Sequence, residues 1–255
     1  FVEIKPGQSR TFEIGMPEIT KARAKTVKTE LVTNAGFKYE TKQQFDFLVA
    51  KHANKKPVID GNISPGEWSG LWFAADEKSN VKQIVKWNGA TDSSFFGNLM
   101  WDEENLYMAI SATDNIFCQP YTESSVWQGD GLQFAFSDNA LVKENTSQCT
   151  AFAAARTSAG NQLFRSTSDY KGERGLIENA EFSTSLSQGK IIYEMAIPWS
   201  EIFYDGFVPE LGNSVDFTIL MNDNDGTGRR GWLEYGSGLG TGRNYKLFSK
   251  LNFVK

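Results

Sequence analysis

One histidine, His52, and two cysteines, Cys118 and Cys149, are all that 255 residues offer of the side chains most used in nucleophilic and metal chemistry. A Ser-His-Asp arrangement or a multi-His metal site has almost no material here, and two cysteines are too few for a Cys-rich zinc site. Basic charge is short as well. With 26 Lys and Arg against 31 Asp and Glu the formal net charge is −5, which argues against a general nucleic-acid binder. No apolar run approaches the ~18 residues of a membrane-spanning helix. No signal peptide is visible: Phe1-Val2-Glu3 enters a strand-like segment directly, so the chain reads as an excised or processed fragment. Helical periodicity is missing beyond one turn after Pro198. What the chain does have is aromatic side chains, 19 Phe, 8 Tyr and 7 Trp, a load that suits a β-rich fold and stacking on flat ligands such as sugars.

Charge divides the chain unevenly. Residues 1–56 carry 11 Lys and Arg and 6 Asp and Glu; the remainder carries 15 and 25. The first part reads as strands over Ser9–Ile14, Lys25–Val32 and Phe37–Val49, and residues 1–50 are expected to be an N-terminal strand assembly, part of an immunoglobulin-like sandwich. A polar connector follows over 51–56, with His52 as a solvated linker residue. From Pro57 to Lys255 alternating segments such as Val81–Trp87, Gly131–Phe136, Ile191–Ile197 and Val215–Met221 recur with turns every 8–15 residues, which predicts one antiparallel β-sandwich.

Few motifs carry chemistry. Gly236-Ser237-Gly238-Leu239-Gly240-Thr241-Gly242 lacks the GK[ST] ending and the following helix of a phosphate loop, and reads instead as an exposed, flexible rim. Asp114, Asp130, Asp223, Asp225 and Glu234 fall at strand ends or in loops, where a glycosidase would place its two carboxylates. Asn222–Gly228 is oxygen-rich and turn-forming, so it is either an Asn/Asp/Gly turn or part of a calcium loop. Trp68, Trp101 and Trp199 are core candidates. Trp127 differs: it leaves a polar loop, precedes Gln128-Gly129-Asp130, and is placed to expose its ring face to a sugar. Cys118 follows one strand and Cys149 opens another, and the two are expected to form a disulfide, with two unpaired thiols as the alternative.

The order of these pieces resembles family 9 carbohydrate-binding modules. The matching runs are Pro57-Val58-Ile59-Asp60-Gly61-Asn62-Ile63 with Glu67-Trp68, Trp101–Tyr107, Thr113-Asp114, Trp127-Gln128-Gly129-Asp130, Tyr193–Trp199, Asn222–Arg230 and Leu247-Phe248. The resemblance covers about 57–255. It implies a DOMON-like β-sandwich without catalysis, binding poly- or oligosaccharide, secreted or at the cell surface and appended to a glycoside hydrolase or other domains. It places Trp127 as one aromatic wall, Asp114, Asp130, Gln133 and Arg230 at the site, and Trp232 or Tyr235 as a substitute for a second tryptophan. Where the family carries an Arg and a Gln this chain has Ala153 and Leu220. The resemblance also implies structural calcium, for which the oxygen-rich segments supply Asp60, Asn222, Asp223 and Asp225. Two rival functions are a structural or adhesion module with a decayed sugar site, and a carboxylate-dependent glycosidase or lyase.

Overall fold

The computed structural model describes residues 25–45, 47–138 and 148–255, together with residues 5, 7–9, 11 and Lys21–Ala22. The strand expected over Ser9–Ile14 lies largely outside them. In chain order the strands are β1 Lys21–Ala22, β2 Lys25–Val32, β3 Lys38–Phe45, β4 Val49–His52, β5 Trp72–Ala75, β6 Val81–Lys82, β7 Ser93–Trp101, β8 Asn105–Asp114, β9 Gly131–Ser137, β10 Thr150–Thr157, β11 Gly160–Ser168, β12 Gly175–Leu176, β13 Glu181–Ser187, β14 Lys190–Pro198, β15 Ser214–Asp223, β16 Gly231–Tyr235 and β17 Ser249–Val254. Among the described residues the one α-helix is a single turn, Trp199–Ile202, directly after Pro198.

Pairing runs along one path, β12-β11-β10-β9-β15-β17-β4-β7-β8-β14-β13, with β16 added to β15, β6 to β16 and β5 to β7. Its two halves face each other as a mainly antiparallel β-sandwich, because each contributes one apolar face to the same core. Phe134, Phe136, Phe152, Phe217 and Ile219 come from one half, and Phe73, Phe95, Leu99, Met108, Ile110 and Tyr193 from the other. The period-2 alternation is clearest in β10: Phe152 and Ala154 enter the shared core, while Ala153 and Ala155 pack on the opposite face with Val126. Phe134 stacks on Phe152 with ring centroids 5.2 Å apart. Each such buried ring contributes roughly 1.5–3 kcal/mol.

The domain boundaries read from sequence shift here. β4 is not linker: it lies between β17 and β7, parallel to both, and Leu48, Ala50 and Ala53 are buried. The polar residues 51–56 hide the strand because, of residues 50–56, only Ala50 and Ala53 are buried, with Lys51 and His52 half-buried and 54–56 exposed. His52 packs its ring edge-on to Trp101, centroids 4.8 Å apart. Lys21–Ala22 also pairs with β5, and Ala22 is fully buried. Of the immunoglobulin-like assembly expected over 1–50, the described residues show one hairpin, β2–β3, which pairs with none of the other described strands and carries the ion pairs Lys28–Glu40 and Lys38–Glu30.

Several motif residues lock the fold rather than bind. Glu194, fully buried on β14, accepts hydrogen bonds from the Trp68 indole N–H and from the backbone N–H of Gly61 and Asn62. Glu67 accepts from the N–H groups of Val58 and Ser64, and Asp60 from that of Asn62. Gly61, at φ 85°, lies so close to the Thr184 backbone that a Cβ would sit 3.0 Å from its carbonyl carbon. Burial raises the Glu194 pKa above the ordinary carboxylate value. Glu194→Ala strands three donors, so unfolding free energy is expected to fall by roughly 3 kcal/mol, read as a lower urea midpoint at unchanged slope. Trp68, Trp101 and Trp199 are buried as expected.

The expected disulfide is not formed; both thiols are free. The reason is the length of β9. Cys118 is tied to Asp130, just before β9 begins, through Asp130 N–H to the Cys118 carbonyl. Cys149 immediately precedes Thr150, which faces Phe136 near the other end of β9. The strand therefore separates the two cysteines by roughly 20 Å, against the ~4.4–6.8 Å between Cα atoms that a disulfide allows. Thiol titration of denatured, unreduced protein is expected to count two thiols. Burial pushes Cys149 up to about 11, so its thiol is expected to react slowly before denaturation.

Candidate functional site

The outer face of the β11-β10-β9-β15-β16 half is unusually small in side chains. Ala135, Ala151 and Ala153 sit on it, and Gln133 pairs across to Ala153 on one side and Leu220 on the other. This leaves a shallow groove of about 270 Å³ lined by Ser124, Trp127, Gln133, Ala153, Phe164, Ser166, Arg174 and Arg243. Trp127 is 42% exposed, as its escape from a polar loop predicts. Phe164, half-buried on β11 opposite Ala153, is the second aromatic residue of the groove.

The loop that presents Trp127 is bolted down. It is a 3-10 turn, Glu123–Gln128, whose first residue takes a left-handed φ of 51° and whose Glu123 N–H is held by Gln162. The Gln119 side chain donates to the carbonyls of Val126 and Asp130, and Asn224 donates to that of Gln128. Gly129 is required here, because a Cβ would lie 2.3 Å from Gln119 Oε1. Asp130 is the central bolt: one oxygen accepts from Cys118 N–H and the other from Asn224 N–H.

Asp114 and Asp130 thus stand behind the Trp127 turn, buried and not in the groove. Asp114 accepts from the Ile116 N–H, and the two carboxyls are close enough for their charges to oppose each other. Burial, and then the Asp114 charge, pushes Asp130 up to about 8; Asp114 is also raised, chiefly by burial. Burial lifts Asp223 to about 6 against the pull of Arg230. Arg230 faces away from Trp127, paired with Asp223 and Asp225 and donating to the Lys86 carbonyl. The neighbouring Arg229 is the one that enters the site. Its guanidinium lies 5.6 Å from the Trp127 ring centroid and 4.5 Å from that of Trp232, and its Nε donates to Asn222 Oδ1, which Gln133 also reaches. Burial lowers Arg229 to about 10.

The two residues expected as a second wall are elsewhere. Tyr235 is in the main core, its ring centroid 5.0 Å from that of Phe73. Trp232 is on the outer face but covered: Gly240 lies against its indole, so close that a Cβ would be 2.2 Å from the ring. The glycine-rich segment is a rim as expected, with residues 241–244 exposed along a groove of about 630 Å³ that Trp232 and Glu234 also line, but it is anchored at its ends. Leu239, Tyr245 and Phe248 fold back and bury themselves with Trp232 and Leu220.

The residues named for calcium do not assemble as one set. Asp60 belongs to the loop held on β13 and β14, whereas Asn222 Oδ1 is taken by Gln133 and Arg229, and Asp223 and Asp225 share Arg230. Among the described residues no group of three or more His, Cys, Asp or Glu is arranged to hold a metal ion. Of the named donors, Asp223 Oδ2 and Asp225 Oδ1 are buried without a hydrogen-bond partner. Asn224 instead uses its side-chain oxygen to accept from Gly226 and Gly228 N–H, the turn alternative for this segment.

The comparisons with known proteins now bear on this groove. The model of the carbohydrate family 9 binding domain-like family matches residues 59–248. The chain belongs to that family. An endo-1,4-β-xylanase A of Thermoanaerobacterium saccharolyticum and an exoglucanase XynX of Acetivibrio thermocellus are each 27% identical to it over 183 residues, 68% of this chain. The chain spans only 13% and 14% of their lengths. A family 9 carbohydrate-binding module of Caldicellulosiruptor kristjanssonii, solved with cellotriose, superposes with a TM-score of 0.58 at 17% identity, covering 81% of this chain and 93% of that one. A carbohydrate-binding protein structure from Bacteroides uniformis gives 0.56 at 14% identity over 81% and 98%. At such identities these structures support the fold, and the family match supplies the class: a carbohydrate-binding module, not a catalytic domain.

Arg229, Phe164, Arg174, Arg243, Gln119 and Asn224 escaped the sequence reading. Period-2 alternation alone sends Arg229 and Arg230 to opposite sides of the strand that begins at Gly231, and so flags a choice between them. Phe164, Arg174 and Arg243 come from separate strands and loops and carry no local signal.

Proposed function

We propose that the chain binds glycan in the groove beside Trp127, with a sugar ring stacked on the indole. The observation that carries this is a large, partly exposed aromatic ring held rigidly by its loop beside a groove that Ala153 leaves open. The ring offers an apolar face at low entropic cost. Gln133, Ser124 and Ser166 supply amide and hydroxyl groups for sugar hydroxyls, and Phe164 gives the groove a second aromatic contact. No carboxylate of the described residues lines it, which supports binding without hydrolysis. An adhesion module with a decayed site is disfavoured by the rigid presentation of Trp127. At about 270 Å³ the groove is at the small end of ligand sites and takes one or two sugar units, so affinity is expected on the order of 0.1–1 mM. The names of the curated relatives support a place in a longer, secreted polysaccharide-acting or surface protein. Affinity electrophoresis in gels containing xylan, β-glucan or uronate-bearing polysaccharides tests the reading: retardation by at least one is expected, and none by any of them would refute it.

A further inference from the structure

The groove is lined by two guanidinium groups, Arg174 and Arg243, and a third, Arg229, lies beneath Trp127. This is an unusual concentration, because residues 57–255 hold 15 Lys and Arg against 25 Asp and Glu. Elsewhere on the sandwich buried Arg165 and half-buried Arg230 are paired with carboxylates. Arg165 bonds Glu173 and Glu201, and Arg230 bonds Asp223 and Asp225. Glu173, the chain neighbour of Arg174, is thus taken by Arg165 on β11. By contrast, no carboxylate of the described residues lies within ion-pair distance of Arg174, Arg229 or Arg243, and Arg229 Nη2 is buried without a hydrogen-bond partner. Guanidinium groups free of carboxylate partners around a small groove are available to an anion, and their planar fork matches a carboxylate in two parallel hydrogen bonds.

We infer that the groove recognises an acidic sugar, a hexuronate unit whose ring stacks on Trp127 and whose carboxylate is held by Arg174 or Arg243. This rests on the glycan-binding reading above and narrows it. The geometry is consistent with the chemistry of a pyranose. Its two faces are C–H surfaces suited to the indole, and a C5 carboxylate projects from the ring edge, toward groove walls and not the floor. An aromatic side chain in place of Arg243 would favour a neutral sugar; the guanidinium substitutes directional charge recognition. Attraction between a polyanion and the whole protein does not explain such binding, since the net charge of −5 repels it.

The test is affinity electrophoresis and calorimetry with polygalacturonate, the same polymer after carboxyl reduction, a sulfated galactan, and neutral xylo- and cello-oligosaccharides, each at about 0.05 and 0.5 M salt. The wild type is expected to bind polygalacturonate at least tenfold more tightly than the reduced polymer, with the gap narrowing at high salt. Arg174→Gln/Arg243→Gln, both changes on exposed residues, is expected to lower uronate binding to the level of the reduced polymer, and Trp127→Ala to remove both. Equal binding to native and reduced polymer overturns the inference while glycan binding stands. Preference for the sulfated polymer overturns it in favour of sulfate. Uronate binding that survives Trp127→Ala places the anion elsewhere and overturns it as well. Failure to bind any glycan defeats this inference and the glycan-binding reading together.

Discussion

Trp127→Ala is expected to yield a folded protein that no longer binds glycan. The two halves of that result have separate physical causes. Fold is spared because the ring is 42% exposed and its loop is held by backbone contacts from Gln119, Asn224 and Asp130, none of which involve the indole. The main loss is the contact with Arg229, about 0.5–1 kcal/mol at a partly exposed site. A fully buried tryptophan would cost roughly 3–5 kcal/mol, and Trp232→Ala is the matching control: it should melt far lower. Binding is lost because stacking contributes on the order of 1–1.5 kcal/mol, about tenfold in affinity, and a millimolar-range site has no tenfold to spare. A thermal melt and a glycan titration on the same variant check both halves. A large drop in melting temperature, or unchanged retardation, would show that Trp127 packs and does not bind.

Stability is expected to fall as pH rises from about 5 to 8. Asp130 titrates at about 8 and Asp223 at about 6 in the folded chain, both raised first by burial, whereas an unfolded aspartate titrates near ~3.9. Between those values the native state keeps protons that the unfolded state has released. Their stabilising effect is complete below about pH 4 and is lost as pH climbs through the folded pKa values. Each retained proton steepens the fall by about 1.4 kcal/mol per pH unit. Urea midpoints at pH 5, 6.5 and 8 should decline in that order. Asp114→Asn should flatten the decline and raise the midpoint at pH 8, because it removes the charge that opposes ionised Asp130. A midpoint that holds steady or rises over this range would mean that Asp114 and Asp130 carry their charges without penalty.

Most of the sandwich was legible because its strands place large apolar residues at every second position. In β9, β14 and β15 every second residue is a large apolar one that enters the shared core, and the glycine and asparagine turns between strands set the spacing. β4 was missed for the opposite reason: four residues, two of them polar, give no period, and its place between two distant strands is a property of closure. The Trp127 turn was legible as a ring leaving a polar loop. Its partners were not. Whether Asp130 lines a groove or bolts a loop depends on which backbone N–H groups arrive from 12 and 94 residues away. Arg230 was chosen over Arg229 because the match to a family pattern carries no facing information at the end of a strand. The disulfide failed on a distance that β9 sets and that two cysteine positions alone do not reveal.

The placing of β4 gives this module a mechanical character. After Lys21–Ala22 on β5, β4 is the next strand of the sandwich and β17 its last described one, and the two are parallel neighbours, with Val49, Ala50 and Lys51 opposite Asn252, Phe253 and Val254. A pull on the chain before β4 and after β17 therefore draws the two strands past each other along their length. Their hydrogen bonds share the load together in shear and do not open one at a time, and β7, pairing with β4 on its other side at Met100 and Trp101, resists the same slide. A domain tethered by both ends to a moving partner and a fixed polymer would hold its groove in shape under tension, because the strands that bear the force are not the strands that bear Trp127.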